Sequence, residues 1–301
     1  GRIGGAGSGS AAGLTGFVSV WATTGALETI TIPTQNIGTF NAGVDWGDGT
    51  IETITTYNGF SHEYAAIGDH TISITGTFPN IYFNNGGDKL KIKKVLNLGA
   101  VGWTRLNNAF FGCTNLTEFT AGSTDTANTS TMQTMFLNCS GLTSLDVSTF
   151  DTSSVGNISY MFQGCSGLTS LDLSAFDTSS VGNMTQVFLS CSGLTSLDLS
   201  AFDTSSVATM LRMFNNCNAL TSLVGAEDFI ITGLNSTGSL TDFLTGGKMT
   251  TPQYDNLLVK WRAQDPFNGM TPSFGASTYT GGGAAATARQ DLIDIDGWSI
   301  S

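Results

Sequence analysis

Five cysteines, Cys113, Cys139, Cys165, Cys191 and Cys217, stand 26 residues apart without exception. A fixed period of that length marks a chain built from copies of one supersecondary unit, which can bury its apolar edge only by stacking on its neighbours. Other positions keep the phase. Leu116, Leu142, Leu168, Leu194 and Leu220 lie three residues after each cysteine, and Phe119, Leu145, Leu171, Leu197 and Leu223 lie six after it. Phe150, Phe176 and Phe202 form a further column, and Phe136, Phe162, Phe188 and Phe214 close the units. Within a unit, "SLDLS" alternates apolar and polar residues, a strand signal. Val181, Met184, Val187, Phe188 and Cys191 then follow a helical stripe, which predicts a short helix or helical turn. Stacked strands would form a parallel sheet with neighbours about 4.8 Å apart.

That stacking changes what the cysteines mean. Neighbouring Cα atoms about 5 Å apart would be within disulfide range. Yet the cysteines are odd in number, share one direction, and have no Cys-x-x-Cys pair or nearby histidine to support zinc. The reading is a ladder of buried thiols acting as small hydrophobes.

Composition narrows the partners. Hydrophobic residues make up 40% of the 301 residues, enough for a packed core, while charged residues make up only 11%. The net charge of −12 argues against nucleic acid, which needs clustered Lys and Arg, and against an anionic membrane surface. No apolar run reaches the ~18 residues of a membrane-spanning helix. The start at Gly1, with no hydrophobic core in "GRIGGAGSGSAAG", reads as a processed or truncated chain, with any targeting segment gone. Residues 1–13 read as a flexible linker.

The line "LTSLDLSAF" matches the Leu-x-x-Leu-x-Leu core of leucine-rich repeats. With "FDTSSVGNM" and the endings "MFLNC", "MFQGC", "VFLSC" and "MFNNC", it resembles the BspA-like leucine-rich repeats of bacterial surface proteins. The resemblance spans about residues 90–247. It implies extracellular display and adhesion, and it transfers no catalytic residue. In residues 14–84, short strand patterns separated by turns suggest a β-sandwich. There "VDWGDGT" followed by "SHEYAAIGDHTISITG" resembles the polycystic-kidney-disease-type immunoglobulin-like domain, with Trp46 at the aromatic position before Gly-Asp-Gly. That resemblance implies a spacer or adhesion module.

The ends of the repeat array are irregular. Allowing four inserted residues after Cys217, Leu240, Phe243 and Leu244 take the places of Met184, Val187 and Phe188, and Gly247 that of the next cysteine. In residues 248–301, Thr251 and Pro252 suit a helix start, and Tyr254, Leu257, Leu258 and Trp261 form an amphipathic stripe. A second helix carries Ala285, Ala288 and Leu292 on one face, and "WSI" suggests a last strand. The expected fold is therefore multidomain: linker 1–13, an Ig/PKD-like β-sandwich at 14–84, a leucine-rich-repeat solenoid at 85–247 with parallel sheet and short helices, and a small α+β cap at 248–301.

No nucleophile–base motif is present, so the expected class is not an enzyme. His62 and His70 read as structural. The candidate binding residues are the outward positions of the repeated strand: Ser144, Ser170 and Ser196; Asp146, Asp172 and Asp198; Ser148, Ser174 and Ser200. They form a rigid, flat face suited to a cell-surface glycan or protein receptor. Asp151, Asp177 and Asp203 recur in the turn and are the candidates for Ca²⁺; no other cofactor is expected. The competing reading takes them as Asx-turn acceptors from the Thr and Ser beside them. The function expected is surface-displayed adhesion, extracellular, on a bacterial cell, with an anchoring domain on the N-terminal side. The alternative is a phage virion protein (tail fibre, head fibre or decoration protein) serving as a stiff spacer or host-attachment ornament, joined to another virion protein.

Overall fold

The computed structural model describes residues 15–301, so the linker expected at 1–13 lies outside the described residues. The described residues open with six strands: β1 (Phe17–Thr23), β2 (Glu28–Thr31), β3 (Asn41–Asp45), β4 (Ile51–Ile54), β5 (Ser61–Tyr64) and β6 (Gly68–Thr77). Five short strands follow at the repeats: β7 (Ile92–Asn97), β8 (Glu118–Thr120), β9 (Ser144–Asp146), β10 (Ser196–Asp198) and β11 (Ser222–Val224). Two α-helices end the chain, α1 (Thr251–Arg262) and α2 (Ala284–Asp294).

The strands correct the expected architecture. Among the described residues there is no β-sandwich set apart from a leucine-rich-repeat solenoid with an α+β cap. The fold is mostly sheet, and its largest sheet is mixed, in the order β4-β3-β6-β1-β7-β8-β9. The pivot is β1, which pairs antiparallel with β6 on one side and with β7 on the other. From β7 the ladder continues in parallel through β8 and β9. Once β1 donates both its edges, the N-terminal strands and the first repeats share one hydrogen-bonded sheet.

The expected repeat helices are absent as well, for a legible reason. An α-helix sends each amide to the carbonyl four residues back. Here alternate amides go forward to the next repeat: Phe136 N donates to Met161 O (2.9 Å), Phe162 N to Val187 O (3.0 Å) and Phe188 N to Met213 O (2.9 Å). The amides between them close three-residue turns, as from Cys165 N to Phe162 O (3.1 Å). Left-handed backbone makes this alternation possible. The residue five before each cysteine has positive φ in Asn108, Thr134, Tyr160, Gln186 and Arg212, and so does the residue just before it in Gly112, Asn138, Gly164, Ser190 and Asn216. Two left-handed residues in every turn segment break the helical path. The apolar spacing that suggests a helix comes instead from this turn, which also places Val187, Phe188 and Cys191 inside. Parallel bridges Thr131↔Asn157, Asn157↔Asn183 and Asn183↔Thr209 tie the same edge in 26-residue steps.

Three columns hold successive repeats together. Phe110, Phe136, Phe162, Phe188 and Phe214 stack nearly parallel, with centroids 5.8, 5.9, 5.7 and 5.4 Å apart. The five cysteines are free and buried. Four of their thiols donate to the carbonyl 29 residues earlier: Cys139 to Phe110 (3.0 Å), Cys165 to Phe136 (3.2 Å), Cys191 to Phe162 (3.0 Å) and Cys217 to Phe188 (3.0 Å). Burial pushes all five thiols above their ordinary pKa, away from the reactive thiolate. The third column is threonine. Thr152 Oγ1 donates to Asp177 O (2.9 Å) and accepts from Asp177 N (2.9 Å), and Thr178 clasps Asp203 in the same way.

Another buried threonine lies outside this column. Thr129 occupies the column of Val155, Val181 and Val207 and is fully buried, yet its hydroxyl has no partner. An unpaired buried hydroxyl costs about 1–3 kcal/mol, and valine has the same shape. Thr129→Val is expected to raise the denaturant midpoint by about 1 kcal/mol of stability. An unchanged or lowered midpoint would refute this account.

The last repeat meets α1. Thr250 is the N-cap, one residue earlier than expected, and forms a capping box with Gln253. Tyr254, Leu257, Leu258 and Trp261 are buried. Gln253 Oε1 accepts from Leu223 N (3.4 Å), Gln264 bonds Ile231 N (2.8 Å) and Phe229 O (2.8 Å), and Trp261 Nε1 donates to Ala226 O (3.1 Å). These side chains satisfy backbone groups at the end of the array. Leu240, Phe243 and Leu244 fill the shifted positions: Phe214 N donates to Phe243 O (2.8 Å) and Arg212 N to Thr241 O (2.9 Å). The residues of "WSI" form no strand.

At the N-terminal strands, Gly47 and Gly49 take positive φ in the turn after β3, and Asp48 accepts from Thr50 N (3.0 Å) and meets His62 Nε2 (2.8 Å). His62 and then Thr50 hold the Asp48 carboxyl down at about 2. Glu28 is also held at about 2, first by the Thr24 amide, then by Gly25 and Lys91. Carboxyls depressed in the folded state favour folding above their unfolded pKa, and that contribution is lost as pH falls through the folded value. For Glu28 the window runs from its ordinary 4.5 down to about 2. Glu28→Gln is expected to flatten the fall of the thermal midpoint across that window. An identical acid profile in the variant would count against the assignment.

Candidate recognition surface

The nine predicted surface residues form three columns, and all nine side chains are exposed. The alternation of "SLDLS" produces this placement: Leu171, Leu173, Leu197 and Leu199 turn into the core while the residues between turn out. The aspartates are more ordered than simple solvated charges. Asp146 Oδ1 accepts from Ser148 N (3.0 Å) and Ser148 Oγ (2.7 Å). Asp172 Oδ1 accepts from Ser174 N (2.9 Å) and Asp198 Oδ1 from Ser200 N (2.9 Å). The Ser174 amide lowers the Asp172 pKa, and the Ser200 hydroxyl and amide lower that of Asp198 against a small opposing effect from Asp172. Both stay ionised at neutral pH, and no lysine, arginine or histidine pairs with Asp146, Asp172 or Asp198 among the described residues.

The turn column is built in a similar way. Asp151, Asp177 and Asp203 each accept from the amide two residues on, Ser153 (3.1 Å), Ser179 (3.0 Å) and Ser205 (2.8 Å). The threonine between them faces away, clasping the next repeat. These Asx turns lower Asp177 and Asp203, with the Ser179 and Ser205 hydroxyls the largest causes. Asp125 is a fourth member, with Oδ2 accepting from Gly102 N (2.9 Å). Among the described residues no group of three or more His, Cys, Asp or Glu is placed to hold a metal ion.

The face is not the uniform plane that the repeat suggests. Glu118–Thr120 pairs with Ser144–Asp146, and Ser196–Asp198 with Ser222–Val224. Ser170–Asp172 between them pairs with neither. The amides of Ala121 and Leu199 reach the carbonyls of Asp146 (3.0 Å) and Val224 (2.9 Å) in the next repeat, whereas the matching amides of Val147 and Leu173 make no backbone bond. The opposite edge stays joined through Asn157 and Asn183. The strand side is therefore open at the centre of the array. A concavity of about 220 Å³ lies there, with Leu171, Leu173 and Ala201 as floor and Asp172, Ser174, Asp198 and Ser200 as walls.

Sequence reasoning overlooked the threonine clasp and this opening. The clasp had a signal, since "DT" recurs at 125, 151, 177 and 203. The opening had none, because "CSGLTSLDLSAFDTSSV" is identical at 165–181 and 191–207.

Fold and surface together define a repeat protein with a mixed sheet, a thiol-lined interior and one polar columned face. Residues 104–227, which contain all five cysteines, match the family described as "Mycoplasma protein of unknown function, DUF285", a family of BspA-like surface-repeat proteins. No curated protein and no solved structure matches the chain. No helix among the described residues is long and apolar enough to cross a membrane.

Proposed function

We propose that this chain is a non-enzymatic recognition protein displayed outside the cell, which contacts a receptor, protein or glycan, through the columns of Ser144, Asp146 and Ser148 and their counterparts at 170–174 and 196–200. One observation carries the reading. Nine exposed polar side chains repeat in register above an apolar interior, and their carboxylates are fixed in Asx turns yet carry no ion pair. A fixed polar surface loses little conformational entropy on binding. The surface-repeat character of the matched family supports display.

The histidines support a role without catalysis. His62 stacks on Trp46 (5.1 Å) and His70 on Tyr64 (3.6 Å). The hydroxyl that touches His70 belongs to Thr23, which is buried.

The test is adherence of the purified chain, immobilised on beads, to bacterial and epithelial cell panels. Ser170→Tyr combined with Asp172→Ala is expected to abolish the binding of the parent chain, with the circular dichroism spectrum unchanged. Retained adherence by that variant would move the binding face elsewhere.

A further inference from the structure

We propose that the opening in the strand ladder at Leu171–Leu173 is a docking slot for a lysine or arginine side chain of a protein partner. The inference rests on the recognition reading above and narrows it to a basic protein segment.

Three features of the slot converge on that occupant. Its walls carry two carboxylates, Asp172 and Asp198, from adjacent repeats. One oxygen of each is engaged by a serine amide, at 2.9 Å in both cases, and no basic side chain of this protein pairs with either. Its floor is apolar, made by Leu171, Leu173 and Ala201. A basic side chain has the matching construction, an aliphatic stem ending in a cation. Its backbone is also uncommitted: no backbone amide of Leu171, Asp172 or Leu173 is bonded to a neighbouring repeat. The two repeats flanking the opening are otherwise joined, so the slot is held open by the rest of the array.

Charge complementarity selects among ligand classes. Two like charges on adjacent repeats repel, and a cation between them relieves that repulsion while a neutral sugar ring does not. An anion would meet both carboxylates. A divalent metal would need six or more oxygen ligands in a cage, and the slot supplies only two acidic side chains. Arginine gains most, because its planar fork donates to carboxylates bidentately.

The experiment is an amide chemical-shift titration of the full chain with acetyl-Gly-Ser-Arg-Ser-Arg-Ser-Gly-amide, beside the same peptide with citrulline for arginine. The arginine peptide is expected to shift the amides of Leu171, Asp172, Leu173, Asp198 and Ala201, and the uncharged peptide to leave them in place. Asp172→Asn with Asp198→Asn should weaken binding at least tenfold, since asparagine can keep the Asx turn but not the charge. Asp177→Asn with Asp203→Asn removes the same charge from the neighbouring column and should change affinity less than twofold. Equal weakening by the two double variants would reduce the effect to bulk attraction and overturn the slot. So would equal binding of the citrulline peptide, or shifts at the slot amides produced by maltohexaose or Ca²⁺ instead. If the peptide fails while Ser170→Tyr with Asp172→Ala still abolishes cell adherence, the recognition face stands and this assignment falls.

Discussion

Phe162→Ala should lower the stability of the chain by about 3–5 kcal/mol, the range for deleting a fully buried aromatic side chain. Phe162 stacks on Phe136 at 5.9 Å and 7° and on Phe188 at 5.7 Å and 11°, and it meets Phe176 at 6.5 Å, so one truncation removes three ring contacts. It also leaves a cavity in the middle of the array, where left-handed turns and forward amide bonds limit how far the backbone can collapse. At about 2–4 °C per kcal/mol for a large domain, the thermal midpoint should fall by roughly 6–20 °C. Phe267→Ala is the control: that ring is 44% exposed, and surface substitutions usually stay within about 0.5 kcal/mol. Similar losses in both variants would show that the phenylalanine column does not carry the packing.

The second large effect is Thr178→Val, with an expected loss of about 2 kcal/mol, because two backbone groups lose a buried partner at once. Thr178 Oγ1 is donor to Asp203 O at 2.8 Å and acceptor from Asp203 N at 2.9 Å. The same substitution at Thr129 should stabilise, since there the hydroxyl has no partner. Opposite signs for one chemical change, read from urea midpoints under identical conditions, would establish that the hydroxyl's hydrogen bonding rather than β-branching or volume sets the effect at each buried threonine. A neutral Thr178→Val would refute the clasp.

The burial pattern was legible because a repeat converts sequence position into spatial column. Cys165, Leu168, Phe176 and Phe162 recur at fixed phase, and each column is inside. Ser170, Asp172 and Ser174 are outside for the same reason. The turn aspartates were legible only in part: their Asx geometry follows from "DTSS", but Thr152 and Thr178 bond to the next repeat. The helical stripe misled, because i, i+3 and i+7 spacing reports which residues face inward and not where their amides go. Tyr160 and Gln186 have no residue-type preference for positive φ that would have signalled the turn. Their amides are held by Thr185 O (2.9 Å) and Leu211 O (2.8 Å), contacts 25 residues away.

By itself, then, the sequence determined the 26-residue register, the buried thiol and phenylalanine columns, and the outward serines and aspartates, since all of these depend only on residue type repeating in phase. Tertiary structure decided how the backbone groups pair. β1 accepts strands on both edges and so joins the N-terminal strands to the first repeats in one mixed sheet, which no local pattern encodes. Two identical copies of "SLDLS" part company: Ser196–Asp198 pairs with Ser222–Val224, while Ser170–Asp172 pairs with neither neighbour. A hydrogen bond between repeats depends on the separation of two backbones, and that separation is set by the packing of the whole array rather than by the residues of one copy.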